Sequence, residues 1–245
     1  MRTFILIFCC MIFAWNGFAA NGPVRYQVQG EQFEGYFLSP STSAPLVLLV
    51  HDWDGLNAYE VKRAEMLAGL GYAVFVVDLF GAGIRPTSLE EKKQRTTALY
   101  YDRSRLRSLL QGGLQAAKAQ GGNIANSVAV GYCFGGAAVL ELARSGADLK
   151  GFVSFHGGLE TPEGQNYKAA KGRMLILHGT ADSSVTMAHF AALAETLEAE
   201  GVAHEMITYS GAPHAFTVFG TDRYREDADK KSWQRFTEFL GQTLR

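Results

Sequence analysis

The chain has 245 residues, enough for one large α/β domain with a sizeable core. Lys and Arg number 23 against 24 Asp and Glu, for a net charge of −1. With no basic block or stripe, nucleic acid is excluded as an expected partner.

Residues 1–20 differ in composition from the rest. Arg2 precedes an apolar run from Phe4 to Trp15, and Gly17, Ala19 and Ala20 follow. A short positive end, an apolar run too short to span comfortably and small residues read as a secretory signal peptide. Cleavage after Ala19 or Ala20 would leave one domain, residues 21–245, in the periplasm or outside the cell. A retained N-terminal anchor is the competing reading. No later segment is long and apolar enough to span a bilayer. Losing the signal removes Cys9 and Cys10, so Cys133 becomes the single thiol and no intramolecular disulfide can form. Such a thiol is either inert and buried or reactive.

After the signal, Val24 to Gln29 and Phe33 to Leu38 form the pattern of a hairpin turning near Gly30. Leu46 to Val50 is a continuous apolar run, as in a buried parallel strand. A helix pattern runs from Asn57 to Leu70 and stops at Gly71. Ala73 to Leu79 is a second buried strand, and Gly81 to Pro86 a loop. Ser88 and Glu91 have capping-box spacing and open a helix. Another covers Arg103 to Ala119, ended by Gly121 and Gly122. A strand at Ser127 to Val130 leads into a turn and a helix to Ser145. Strands follow at Gly151–Phe155, Met174–Leu177 and Ala203–Tyr209, with helices at Thr186–Glu200 and Arg225–Leu244. This alternation predicts an α/β fold with a mostly parallel sheet covered by helices on both faces.

The turn Gly131-Tyr132-Cys133-Phe134-Gly135-Gly136 carries the most chemistry. Gly-x-Cys-x-Gly between a strand and a helix resembles the nucleophile elbow of the α/β-hydrolase fold, with Cys where Ser is more usual. The tight turn lifts one side chain above the sheet edge, and glycines two residues away allow close backbone approach. In such sheets functional residues gather at the carboxyl ends of the strands. Asp182 and His214 lie there too, and nucleophile, acid, His is the chain order of this class. A thiolate attacks, an imidazole carries the proton, and a carboxylate fixes the imidazole. His51, His156 and His178 also sit near strand ends, so position alone does not single out His214.

These pieces, with His51 to Asn57, Gly71 to Val74, Asp78 to Gly81, His178 to Asp182 and Tyr209 to Phe216, resemble the dienelactone hydrolase family from Val24 to Leu244. The resemblance implies an α/β-hydrolase fold, a Cys133–His214–Asp182 triad, no metal and no cofactor. It implies an oxyanion hole from the backbone amides of Trp53 and Phe134. It also implies that Asp52 modulates the resting thiol, where family members usually carry Glu. Members that cleave dienelactone itself hold its carboxylate with arginines; Val218 and Ala82 stand at those positions here. Arg85 is the nearby candidate replacement, and Tyr132 and Phe216 are candidate substrate contacts. Without the clamp an anionic lactone loses its main anchor, so dienelactone is not the expected natural substrate.

The expected activity is therefore hydrolysis of a small-molecule carboxylic ester, lactone or thioester through an acyl-enzyme on Cys133. An acyltransferase and a non-hydrolytic binding protein on the same fold are the alternatives. The expected mature protein is a monomer, with a dimer as the alternative.

Overall fold

The computed structural model describes residues 21–244, so the signal-peptide expectation lies outside the described residues. A hairpin of β1 (Gly22–Val28) and β2 (Glu31–Leu38) starts the fold. Then come β3 (Pro45–Val50), α1 (Ala58–Gly69), β4 (Ala73–Val77), α2 (Leu89–Tyr101), α3 (Arg103–Ala119) and β5 (Asn123–Tyr132). The chain continues through α4 (Phe134–Arg144), β6 (Gly151–Phe155), β7 (Arg173–Gly179), α5 (Met187–Ala199), β8 (His204–Tyr209) and α6 (Glu226–Thr243).

All eight strands join one sheet in the order β1-β2-β4-β3-β5-β6-β7-β8. The hairpin is antiparallel and β2 pairs antiparallel with β4; β3 to β8 run parallel. Because successive strand residues face opposite sides, the apolar runs divide between two cores. Leu46, Leu48, Val50, Phe75 and Ile176 pack with the helices α2 to α5. Val47, Leu49, Val76, Val130 and Leu177 pack with α1 and α6.

Two local expectations shift. β5 begins at Asn123, not Ser127: its pairing with β3 jumps from Pro45–Asn123 to Leu46–Ser127. The apolar pattern missed this polar lead-in. At α2, the Glu91 amide donates to Ser88 Oγ at 3.2 Å, but its carboxylate accepts from the Thr87 amide instead of closing a box. The reciprocal box forms on α1, between Asn57 and Glu60. It matters because Glu60 also reaches the loop after β3.

Candidate active site

Cys133 stands between β5 and α4 with φ 53° and ψ −114°. Few non-glycine residues enter positive φ, and such strain gathers at active sites. The turn tolerates it because the neighbouring backbone closes in. A Cβ on Gly131 would lie 2.1 Å from the Gly135 carbonyl oxygen, and one on Gly135 would lie 2.3 Å from that of Val50. The Cys133 amide donates to the Phe155 carbonyl at 3.0 Å, tying the turn to β6.

His214 Nε2 lies 3.1 Å from Cys133 Sγ, and His214 Nδ1 lies 2.8 Å from Asp182 Oδ2. Three residues far apart in sequence thus form one hydrogen-bonded line. The other Asp182 oxygen accepts from the Ser184 and Val185 amides, each at 2.8 Å. Burial works against the Asp182 carboxylate, but His214 and these amides outweigh it and hold its pKa below the usual range. Burial likewise opposes a charged His214. Its hydrogen bonds to Asp182 and Cys133 override that and push the imidazole up to about 10. At neutral pH His214 is therefore an imidazolium pointing at sulfur, which attracts a thiolate there.

The histidines that sequence position could not sort turn out to be buried. Burial lowers the pKa of each, so they are neutral. His51 accepts from the Leu79 amide on Nε2 at 3.1 Å, so Nδ1 carries the proton and donates to the Asp52 carbonyl at 2.6 Å. It links the loops after β3 and β4. His178 Nε2 donates to the Val185 carbonyl at 2.8 Å, fixing the turn whose amides hold Asp182.

His156 was not separable by sequence, and its partners come from other elements. Its ring lies 5.4 Å from that of His214, edge to face. Its Nε2 meets Thr217 Oγ1 at 2.8 Å, and Thr217 Oγ1 meets the Tyr59 hydroxyl at 2.7 Å. Arg63 donates to the Thr217 carbonyl at 2.9 Å and pairs with Asp229. A polar chain thus runs from α6 and α1 to the back of the His214 loop. The only sequence signal for it was the charged Arg63 on the apolar face of α1.

The loop after β3 brings Asp52 and Trp53 to the elbow's other side. Asp52 is buried and its Oδ1 accepts from the Asp54 amide at 3.0 Å. Burial first, then Asp54, Glu60 and the nearby Cys133, push the Asp52 carboxyl up to about 10. Glu60 is likewise pushed up to about 8, chiefly by burial, although it accepts from the Asn57 and Asp52 amides. Neither the Trp53 nor the Phe134 amide donates to a protein acceptor among the described residues. Phe134 opens α4, where an amide has no intrahelical acceptor. Its ring is buried against Phe80 and Tyr100. A cavity of about 330 Å³, lined by Asp52, Trp53, Ala215 and Val218 among others, opens beside these groups.

Asp52, Asp54 and Glu60 bring carboxylate oxygens within 4.8 Å of one another. They are the described residues that could hold a cation. Their charge is already met by protons on Asp52 and by Lys92, whose ammonium lies 3.4 Å from Asp54.

Three expected substrate contacts lie elsewhere. Tyr132 is fully buried, stacked on Phe155 at 4.7 Å and edge-on to Tyr59, because β5 turns it into the core beneath α1 and α6. Phe216 is fully buried between His156 and Tyr209. Arg85 donates to the Ile84 carbonyl at 2.7 Å and lies 4.0 Å from buried Asp78.

A strained turn carrying Cys133 at the carboxyl edge of a parallel sheet, in line with a His and an Asp, is the layout of the α/β-hydrolase fold. Residues 33–244 match the family model described as "Dienelactone hydrolase family", and the chain belongs to that family. A "Putative carboxymethylenebutenolidase" of Salmonella typhimurium is 23% identical over 95% of this chain and 91% of its own length. A dienelactone hydrolase-like promiscuous phosphotriesterase from metagenomic libraries is 27% identical. Its structure superposes with a TM-score of 0.85 over 92% of this chain and 99% of that one. A putative dienelactone hydrolase from Klebsiella pneumoniae, 22% identical, has the same fold at a TM-score of 0.75 over 91% of this chain and 98% of that one. Among the described residues no helix is long and apolar enough to cross a membrane.

Proposed function

We propose that this hydrolase cleaves a carboxylic ester, lactone or thioester through an acyl-enzyme on Cys133. The observation that carries the reading is the line Cys133 Sγ, His214, Asp182 at 3.1 and 2.8 Å. His214 takes the proton of the Cys133 thiol. The thiolate attacks the carbonyl carbon, and the developing oxyanion accepts from the Trp53 and Phe134 amides; one such donor is worth about 3 kcal/mol. Collapse breaks the bond to the leaving oxygen or sulfur, which takes the proton from His214. A water then gives a proton to His214 and its oxygen to the acyl carbon, releasing the acid and the thiolate. Asp182 keeps the imidazole oriented and stabilises its charge throughout. Protonated Asp52 sits beside the thiolate without adding a second negative charge.

Support for export comes from residues 1–20, with cleavage after Ala19 or Ala20. N-terminal sequencing of the protein recovered from the periplasm or medium checks this; an intact Met1 there overturns it. For the chemistry, Cys133→Ala is expected to lower kcat/KM on p-nitrophenyl acetate by about 10³-fold or more. A trapped acyl group on Cys133, seen by mass spectrometry after rapid quenching, is the second expected result. Equal turnover by the two proteins sinks the reading.

A further inference from the structure

A second cavity of about 330 Å³ opens on the opposite flank of the elbow, lined by Tyr100, Arg103, Ala137, Arg144, Gly158 and Glu160. Ala137 belongs to the first turn of α4, and Tyr100 packs its ring on Phe134 at 5.3 Å, directly after the nucleophile. Behind this cavity lies Glu141, which has no exposed surface. Arg107 takes one of its oxygens at 2.6 Å and Arg144 the other at 2.7 Å. Arg144 also donates to the Tyr167 hydroxyl and to Gln165 Oε1, both at 2.7 Å.

Arg103 is left over. Its guanidinium rests over the Tyr100 ring, 4.8 Å from the centroid, and comes no nearer to Glu141 than 3.6 Å. Among the described residues that guanidinium makes no hydrogen bond to protein. Three guanidinium groups therefore face one carboxylate, and the one without a hydrogen-bonded partner borders the cavity. Burial and the neighbouring Arg144 and Arg107 disfavour its charge, against the pull of Glu141, so it sits below its usual pKa while remaining a cation. The Tyr100 hydroxyl, next to Gly158, also has no partner among the described residues. Burial first, then Cys133, pushes its pKa well up, so it remains an O–H donor. Of the other charged lining residues, Arg144 is bound to Glu141, and Glu160 is largely exposed and lies 3.4 Å from His189.

We propose that this cavity binds the carboxylate of an anionic acyl group, with Arg103 as bidentate anchor and the Tyr100 hydroxyl as second donor. A planar guanidinium with free N–H groups matches a carboxylate in charge and geometry. The side of the thiol follows from the chemistry. His214 protonates the leaving group, and the cavity at Ala215 and Trp53 is on its side; the acyl group then extends toward Tyr100. The substrate class is a monoester of a dicarboxylic acid. This assignment rests on the acyl-enzyme reading above. It restores an anion anchor on α3, away from the positions occupied by Val218 and Ala82.

The test compares p-nitrophenyl hydrogen glutarate with neutral p-nitrophenyl valerate, and titrates free glutarate calorimetrically. Wild type is expected to favour the glutarate ester by about tenfold or more in kcat/KM, the range of a charge-assisted pair. Arg103→Met collapses that ratio toward unity, Arg103→Lys keeps part of it, and Arg25→Met, which removes an exposed charge on β1, keeps all of it. Cys133-dependent turnover with no preference for the anionic ester, or a preference that survives Arg103→Met, overturns the subsite while leaving the acyl-enzyme reading intact. If neither ester turns over, the acyl-enzyme reading falls, and calorimetry decides the subsite. Glutarate binding lost in Arg103→Met supports it, and no binding to wild type overturns it.

Discussion

Two buried carboxyl groups belong to the two cavities, and their surroundings are opposite. Glu141 lies behind the Tyr100 cavity among Arg103, Arg107 and Arg144. Asp52 lines the Trp53 cavity beside Asp54 and Glu60. Burial alone would raise the pKa of both. At Glu141 the hydrogen bonds and charges of Arg144 and Arg107 outweigh burial, and the group stays below its usual value. At Asp52 the neighbours add to burial, and the group rises to about 10. Neighbouring charge, not depth, decides which carboxyl is an anion. One cavity is cationic, and the other borders a proton-sharing acidic turn.

That contrast makes measurable demands on stability. The largest effect is expected for Glu141→Gln, which strands Arg144 and Arg107 in the interior. Breaking a buried pair from one side costs about 3–5 kcal/mol, read as a lower urea midpoint at pH 7. Because the folded pKa of Glu141 is depressed, its contribution is present above the unfolded carboxyl value and is lost as pH falls through the folded one. The gap between wild type and variant must therefore narrow in acid; a constant gap would break the contrast.

Asp52→Asn should act with the opposite sign. A folded pKa raised to about 10 means that the stabilising proton is retained cheaply only below the unfolded value, and stability falls as pH rises from there toward 10. The variant carries no such proton, so its unfolding free energy relative to wild type should increase between pH 4 and pH 9, by an amount on the order of 1 kcal/mol or more, read from urea midpoints. A relative decrease over that range would show Asp52 to be ionised in the fold. The smallest effect belongs to Arg103→Met. Among the described residues its only anionic contact is 3.6 Å away and it is partly exposed, so stability should move by less than about 0.5 kcal/mol. A large loss would make Arg103 a structural partner of Glu141, not a surplus cation.

Much of this molecule was legible along the chain. The strand and helix segments fall where period and punctuation placed them, because each apolar run had to be buried on two faces and each helix on one. The elbow was readable because Gly131 and Gly135 leave no room for a Cβ. Charge balance across space was not readable. Arg85 stood at a plausible loop position, yet it donates to the Ile84 carbonyl; Arg103 had no distinguishing neighbours in sequence, yet it faces the cavity. Tyr132 and Phe216 flank Cys133 and follow His214 in the chain, but strand alternation and loop direction turn both rings into the core.

By itself, then, the sequence determined the order of elements, the strained turn and the three residues whose chain order places them at one sheet edge. These depend on local sterics and on hydrophobic periodicity, which act over a few residues. The tertiary structure alone decided which histidine meets sulfur, which carboxyl keeps its proton and which arginine of the Glu141 cluster makes no hydrogen bond. The first two outcomes depend on distances of about 3 Å between residues as far apart as Cys133 and His214, and only packing sets such distances.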